Sequence, residues 1–122
     1  MEITLKDIKE LLCNSNNELQ QKEIDTYWHG KKCIVRTYSA GVFYGEIEIK
    51  AGDEVILKNS RRLYYWKTVN GGISLSEIAM RGLHDDSKVC EAELKKWCRA
   101  IEIIECTPEA IKNIEEKNDY TN

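Results

Sequence analysis

Apolar and polar residues alternate from residue 42 to residue 50, and this period of two predicts a β-strand with one buried face. One face would carry Phe43, Ile47 and Ile49, and the other would carry Tyr44, Glu46 and Glu48. Short apolar segments bounded by Gly, Asn and Ser predict further strands at residues 33–38, 54–58, 63–67, 89–94 and 100–106. Residues 94–99 could instead form a helical turn. The centre of the chain is therefore predicted to be a small antiparallel sheet or partial barrel.

Turn residues separate these strands. They predict turns at residues 27–32, 39–41, 70–72 and 84–88, a hairpin at 51–53, and a turn or bulge at 59–60.

Apolar spacing in one segment and capping residues in two others predict three helices around this sheet. The first covers residues 3–24, with Thr4 as N-cap and an interruption at 14–17; its apolar positions are Leu5, Ile8, Leu12, Leu19 and Ile24. A short helix at 74–81 begins with the capping pair Ser74 and Glu77. Thr107 and Pro108 begin a helix that ends near residue 117, followed by a frayed polar tail.

The chain is long enough for one domain and too short for two. We expect an α+β fold: a helical arm at 1–26, a β-rich ligand-binding core at 27–106 and a C-terminal helix at 107–117. The arm either packs on its own sheet or pairs with the same helix of a second copy. The small predicted sheet favours the oligomer.

Charge is distributed unevenly. Residues 29–67 hold eight Lys or Arg and four Asp or Glu, a net +4, whereas the rest of the chain carries −7. Such an acidic chain is a poor candidate for binding long nucleic acids, which need a broad basic face. The sequence has no signal peptide pattern and no apolar run of about 18 residues, so we expect a cytosolic protein without membrane contact.

Residues suited to catalysis or metal binding are few. The five cysteines form no Cys-x-x-Cys pair and there are only two histidines, so we expect no metal site and no cofactor. Glu46 and Glu48 would share a strand face about 6–7 Å apart, and His29 lies in a predicted turn. Carboxylates so placed are usually a solvated face, and we predict that the protein is not an enzyme.

Binding residues are easier to find. The turn Ser39-Ala40-Gly41 either directs backbone N–H groups at an anion or is only a tight hairpin. Arginine grips phosphate with two parallel hydrogen bonds. Arg36 suits this role, and the pleat allows only one of Arg61 and Arg62 to enter a given pocket.

Aromatic residues follow directly. Tyr64 and Trp66 share one face with Arg62, and Tyr65 lies on the other with Leu63 and Arg61. Either these rings pack in the protein, or one of them, with Tyr38 or Phe43, sandwiches a base.

Four segments resemble a known family in the same order along the chain. They are Arg36-Thr37-Tyr38-Ser39-Ala40-Gly41-Val42, Leu57 to Trp66, Ser74-Leu75-Ser76 and Ala100-Ile101-Glu102-Ile103-Ile104. Over about residues 31–110 the chain resembles bacteriophage anti-Thoeris proteins of the first type, which are cyclic ADP-ribose sponges.

The resemblance implies a phage-encoded binding protein acting in the host cytoplasm. Members of that family are small α+β homo-oligomers, which implies a homodimer or a higher oligomer here. They capture a glycosidically linked cyclic ADP-ribose isomer without degrading it, and so block a bacterial defence. Some members also hold cyclic di- or trinucleotides at separate sites; the resemblance leaves open whether this chain does.

The expected ligand-binding residues come from these segments. They are Arg36, Thr37, Tyr38, Ser39, Ala40, Gly41, Phe43, Lys58, Asn59, Arg61, Arg62, Tyr64, Trp66 and Ser74. Two alternatives stay open: a hydrolase that degrades the same signal, and a small-barrel nucleic-acid-binding module.

Overall fold

A computed structural model describes residues 18–121 of the chain. Helix α1 covers residues 18–27 of that range. The other elements are β1 (Lys32–Thr37), β2 (Val42–Ala51), β3 (Glu54–Tyr65), α2 (Leu75–Arg81), β4 (Lys88–Val89), β5 (Glu93–Glu105) and α3 (Pro108–Glu115). The predicted α+β class is confirmed. Within the described range, no helix is long and apolar enough to cross a membrane.

Four antiparallel strands form a closed ring. β1 pairs with β2 and β5, and β3 pairs with β5 and also with β2, so every one of these strands has two neighbours. Alternate side chains from all four strands fill the interior: Cys33, Val35, Phe43, Ile47, Val55, Leu57, Cys98 and Ala100. This small barrel is the central unit of the fold.

A second core lies between the outer wall of the barrel and helices α2 and α3. Ile34 and Tyr44 from the wall pack there with Ile78, Ala110 and Ile114 from the helices. The Tyr44 hydroxyl donates to Glu115 Oε2 at 2.6 Å, and Lys32 Nζ lies 2.9 Å from the same oxygen. Burial alone would raise the pKa of the Glu115 carboxyl, but these two donors lower it below its usual range. The second core thus joins the helices to the barrel.

The predicted alternation in β2 is confirmed for Phe43 and Ile47, which enter the barrel, while Tyr44 faces the helices. Ile49 was predicted to be buried with them, but it is 49% exposed. The pairing of β2 with β3 shifts register between Ile47 and Ile49, and this irregularity interrupts the simple period of two.

In two places the sequence predicts two separate segments where the structure has one continuous strand. Residues 54–58 and 63–67 were predicted as two strands, but β3 runs without interruption from Glu54 to Tyr65. Asn59 does adopt a positive φ of 52°, so the predicted irregularity exists as a local distortion within the strand. Gly45 makes the continuation possible, because a Cβ there would lie 3.1 Å from the Cα and Cβ of Ser60.

Residues 89–94 and 100–106 were likewise predicted as a strand pair, with a possible helical turn at 94–99. The structure has one strand, β5, from Glu93 to Glu105. Its first part pairs with β3 and its second part with β1, so two successive partners keep the whole segment extended.

Helix α1 is joined to the barrel at its C-terminal end. Asp25 accepts hydrogen bonds from Lys50 Nζ at 2.9 Å and from the Gly52 amide at 3.2 Å. The helix continues to Tyr27, three residues past the predicted end. The predicted break at 14–17, and the apolar positions of residues 3–12, lie outside the described residues.

The caps of α2 and α3 are confirmed. Ser74 Oγ accepts from the Glu77 amide, and Thr107 Oγ1 accepts from the Ala110 amide. The turn at 70–72 is also present, with Gly71 at a φ of 84°.

The residues after α3 were predicted to be a frayed tail, but residues 118–121 lie along β4. Asp119 bridges to Val89, and the Tyr120 amide donates to the Val89 carbonyl at 2.8 Å. Arg61 is only 5% exposed; it donates to the carbonyls of Cys90, Val89 and Ile114 and to Asp119 Oδ1. The tail therefore supplies a carboxylate to a buried cation.

We predict that this arrangement contributes strongly to stability. Arg61→Met removes the donors to three backbone carbonyls and the partner of Asp119, and it should lower the free energy of unfolding by about 3–5 kcal/mol. Asp119→Asn leaves the carbonyl contacts in place, and because Asp119 is half-exposed the loss should be about 0.5–1.5 kcal/mol. Urea denaturation measures both.

Arg81→Met is the matched control, since Arg81 is exposed and forms an i,i+4 pair with Glu77. It should cost less than about 0.5 kcal/mol. Equal losses for Arg61→Met and Arg81→Met would contradict the assigned role of the buried guanidinium.

Candidate functional site

The turn between β1 and β2 is closed by Thr37. Thr37 Oγ1 donates to the Gly41 carbonyl at 2.7 Å and accepts from the Ala40 amide at 3.0 Å. Gly41 has a φ of 108°, a conformation in which residues with a side chain are strained. Since the Ala40 amide is already bonded, it is not free to bind an anion, and the predicted nest lacks that donor.

A cleft of about 270 Å³ lies between this turn and β5. Its lining comprises Thr37, Tyr38, Ser39, Ala40, Trp97, Cys98 and Arg99. Tyr38 and Trp97 are 87% and 57% exposed, so two aromatic rings border the opening. The Arg99 guanidinium carbon lies 5.6 Å from the Trp97 ring centroid, and its Nη1 pairs with Asp53 at 3.1 Å. The cleft therefore combines stacking surfaces with a cation.

Arg62 supports the turn from the barrel side. Its guanidinium donates to the Ala40 carbonyl and lies 4.6 Å from the centroid of the Phe43 ring. Lys96 Nζ lies 4.2 Å from the same centroid and pairs with Glu93 at 2.9 Å. Two cations thus approach one ring at the end of the barrel beside the cleft.

Phe43 itself is fully buried. It was predicted as a stacking surface for a base, but it is inaccessible to a ligand in this structure. Its ring instead holds Arg62 in place through a cation–π contact.

The two neighbouring arginines occupy different environments, as the strand pleat predicts. Arg62 is half-buried beside the turn, whereas Arg61 lies in the interior with its donors bonded to protein carbonyls and Asp119. Arg61 was included among the ligand-binding residues, and its burial is at odds with that role. Arg36 is exposed on the outer wall of the barrel, 3.5 Å from Glu102, and does not line the cleft.

The remaining predicted residues are dispersed. Lys58 and Asn59 lie at the distortion of β3, exposed and away from the cleft lining. Trp66 donates through Nε1 to the Ile73 carbonyl at 3.2 Å and packs against the second core, and Ser74 caps α2. Tyr64 stacks on Tyr120.

Three cleft residues were missed by sequence reasoning. Trp97, Cys98 and Arg99 lie in the segment that was given a helical turn as an alternative, and no motif marks them. Residues 95–99 combine cationic, aromatic and polar side chains, and this composition could have marked them as a binding segment. Their apolar and polar positions follow neither a strand period nor a helix period.

Three groups that could take part in catalysis are protonated or already bonded within the protein. Cys98 borders the cleft, but burial raises the pKa of its thiol, which keeps the weakly nucleophilic protonated form. His29 Nε2 accepts from the Lys50 amide at 3.1 Å, and Glu48 pairs with Lys95 at 3.0 Å. In the part of the chain that the structure describes, no group of three His, Cys, Asp or Glu residues could hold a metal ion.

No curated protein and no solved structure matches the chain. A family model described as a domain of unknown function, DUF6948, matches residues 30–114. This range includes every barrel strand, the cleft and most of α3. By this match, the chain belongs to the DUF6948 family.

Proposed function

We propose that this protein binds and sequesters a cyclic ADP-ribose-type signalling nucleotide without degrading it. The observation that carries the proposal is the cleft between the 37–40 turn and β5, where Tyr38 and Trp97 border the opening and Arg62 and Arg99 lie beside them. An adenine needs a ring surface and a pyrophosphate needs cations, and this cleft places both together.

The resemblance to anti-Thoeris proteins gives the proposal its biological context. The turn segment that carries the resemblance contributes four of the seven cleft residues. We accordingly propose a phage-encoded protein that acts in the host cytoplasm and keeps an immune signal from its effector.

The cleft is small for such a ligand. Its volume of about 270 Å³ lies below the roughly 300–1,000 Å³ of typical small-molecule sites. A nucleotide with one adenine, two riboses and two phosphates needs further walls. We propose that a second copy of the chain supplies them, and α1 offers a surface for this contact because Leu19, Ile24 and Tyr27 are each more than half exposed.

Sequestration predicts that the ligand survives binding. After long incubation with excess cyclic ADP-ribose isomer, one equivalent per site should disappear from solution and return intact when the protein is heated. Chromatography of the supernatant before and after heating measures this. Linear ADP-ribose appearing beyond one equivalent per site would indicate the hydrolase alternative instead.

Substitutions in and outside the cleft should have unequal effects on binding. Arg62→Ala should weaken binding roughly 10- to 150-fold, because it removes a charged hydrogen-bonding group worth about 1.5–3 kcal/mol. Trp97→Ala should remove a stacking contribution of about 1–3 kcal/mol. Titration calorimetry measures both losses.

Arg36→Ala is the matched control, since Arg36 is an exposed arginine on the outer wall. It should cost less than about 1 kcal/mol of binding free energy. Small and equal losses for Arg36→Ala and Arg62→Ala would mean that positive charge only steers the ligand and that its pocket lies elsewhere. Salt-dependent binding of oligonucleotides by the same protein would favour the nucleic-acid-binding alternative.

The proposed oligomer is tested by removing residues 1–24. This deletion takes away Leu19 and Ile24 of α1 together with the N-terminal segment, and the mass measured by light scattering should fall. Leu19→Glu in the full chain is a milder variant that should act in the same direction. An unchanged mass for both proteins would place the contact between copies outside α1.

A further inference from the structure

The C-terminal tail adds an aromatic ring to the surface of β3. The rings of Tyr120 and Tyr64 are stacked, with centroids 5.3 Å apart and planes inclined by 19°. Tyr120 lies outside residues 30–114, the range matched by the family model. The ring pair therefore joins one residue inside the matched range, Tyr64, to one outside it.

Three contacts hold Tyr120 in position. Its amide donates to the Val89 carbonyl at 2.8 Å, and the preceding residue, Asp119, pairs with the buried Arg61 at 2.9 Å. Lys88 Nζ lies 5.1 Å from the Tyr120 ring centroid, within the range of a cation–π contact. These contacts hold the Tyr120 ring against Tyr64.

Tyr64 still has an open surface. Its side chain is 55% exposed although Tyr120 is stacked on it. A planar ring covered on one face and so widely exposed is available for stacking on its other face. Tyr64 also follows Arg62 by two residues on β3, a separation of about 7 Å along a strand, which is within the span of one nucleotide.

We propose that the Tyr64–Tyr120 pair is a base-stacking surface, with Tyr64 contacting the ligand and Tyr120 acting as a positioning residue. The ligand class is a nucleobase carrying a phosphate, with the base on the open face of Tyr64 and the phosphate at Arg62. This inference rests on the proposed nucleotide-binding function and adds, outside the cleft of Trp97, a second place where a base can stack beside Arg62. If Tyr120 instead occupied the position of the base, removing its ring would raise the affinity for the nucleotide.

Adenosine 5′-monophosphate and ribose 5-phosphate separate a stacking role from a merely structural one. Each is titrated by NMR into the full-length protein and its variants. Tyr120→Ala should weaken binding of adenosine 5′-monophosphate roughly three- to tenfold, the loss expected for one aromatic stacking contact. Binding of ribose 5-phosphate, which has no base, should not change.

Three further variants sharpen the test. Tyr120→Phe keeps the ring and should restore wild-type affinity, while Tyr64→Ala should weaken binding of adenosine 5′-monophosphate at least as much as Tyr120→Ala. Tyr65→Ala is the matched control, because Tyr65 is also an exposed tyrosine of β3 and the strand pleat places it on the face opposite Tyr64. It should leave both affinities unchanged.

Several outcomes would overturn the inference. They are an unchanged or higher affinity of Tyr120→Ala for adenosine 5′-monophosphate, an equal loss for both ligands, and no binding of adenosine 5′-monophosphate by the wild-type protein. The proposed function is tested separately with the cyclic ADP-ribose isomer. Capture of the isomer with no effect of Tyr120→Ala would refute only the stacking surface; a Tyr120-dependent base contact without capture of the isomer would refute only the sequestration proposal.

Discussion

The ring of four strands depends on β5 pairing with two different strands in succession. Its first half is hydrogen-bonded to β3 and its second half to β1, and the β2–β3 hairpin completes the circle. Each barrel strand then has a partner on both sides, so no strand of the ring is an edge strand. The inner core, the wall that supports α2 and α3, and the cleft all follow from this closure.

The same pairing determines which side chains reach the cleft. Along β5, Cys98 points into the barrel, and Trp97 and Arg99 point outward. Because β1 lies next to this strand, the turn that follows β1 comes to rest beside them. The turn at 37–40, which carries part of the family resemblance, thereby meets residues 97–99, about 60 positions further along the chain. The combination provides rings and cations, which suit an anionic ligand with a base.

The adjacent residues Arg61 and Arg62 differ in burial and therefore in the contacts that they make. Arg62 lies at the end of the barrel, held by the Phe43 ring and the Ala40 carbonyl, with part of its guanidinium accessible. Arg61 points the opposite way and links β3, β4, the end of α3 and the tail. Under the proposed function the first binds the ligand, whereas the second stabilises the protein, although both carry the same charge. The buried pair also fixes the tail that holds Tyr120 against Tyr64.

Local sequence determined much of the fold. The alternation around Phe43 and Ile47, the hairpin at Gly52 and the caps Ser74 and Thr107 were all predicted, because each depends on interactions between residues close in the chain. The opposite directions of Arg61 and Arg62 also followed from the strand pleat.

Only the tertiary structure decided the rest. It kept β3 and β5 continuous through segments whose sequence predicts a break, because hydrogen bonds to distant strands outweigh a local distortion at Asn59. It buried Phe43 and Arg61, and it brought Trp97 and Arg99 to the 37–40 turn. Residues about 60 positions apart meet in this cleft, and no local pattern encodes their proximity, since closure of the barrel is a property of the whole chain.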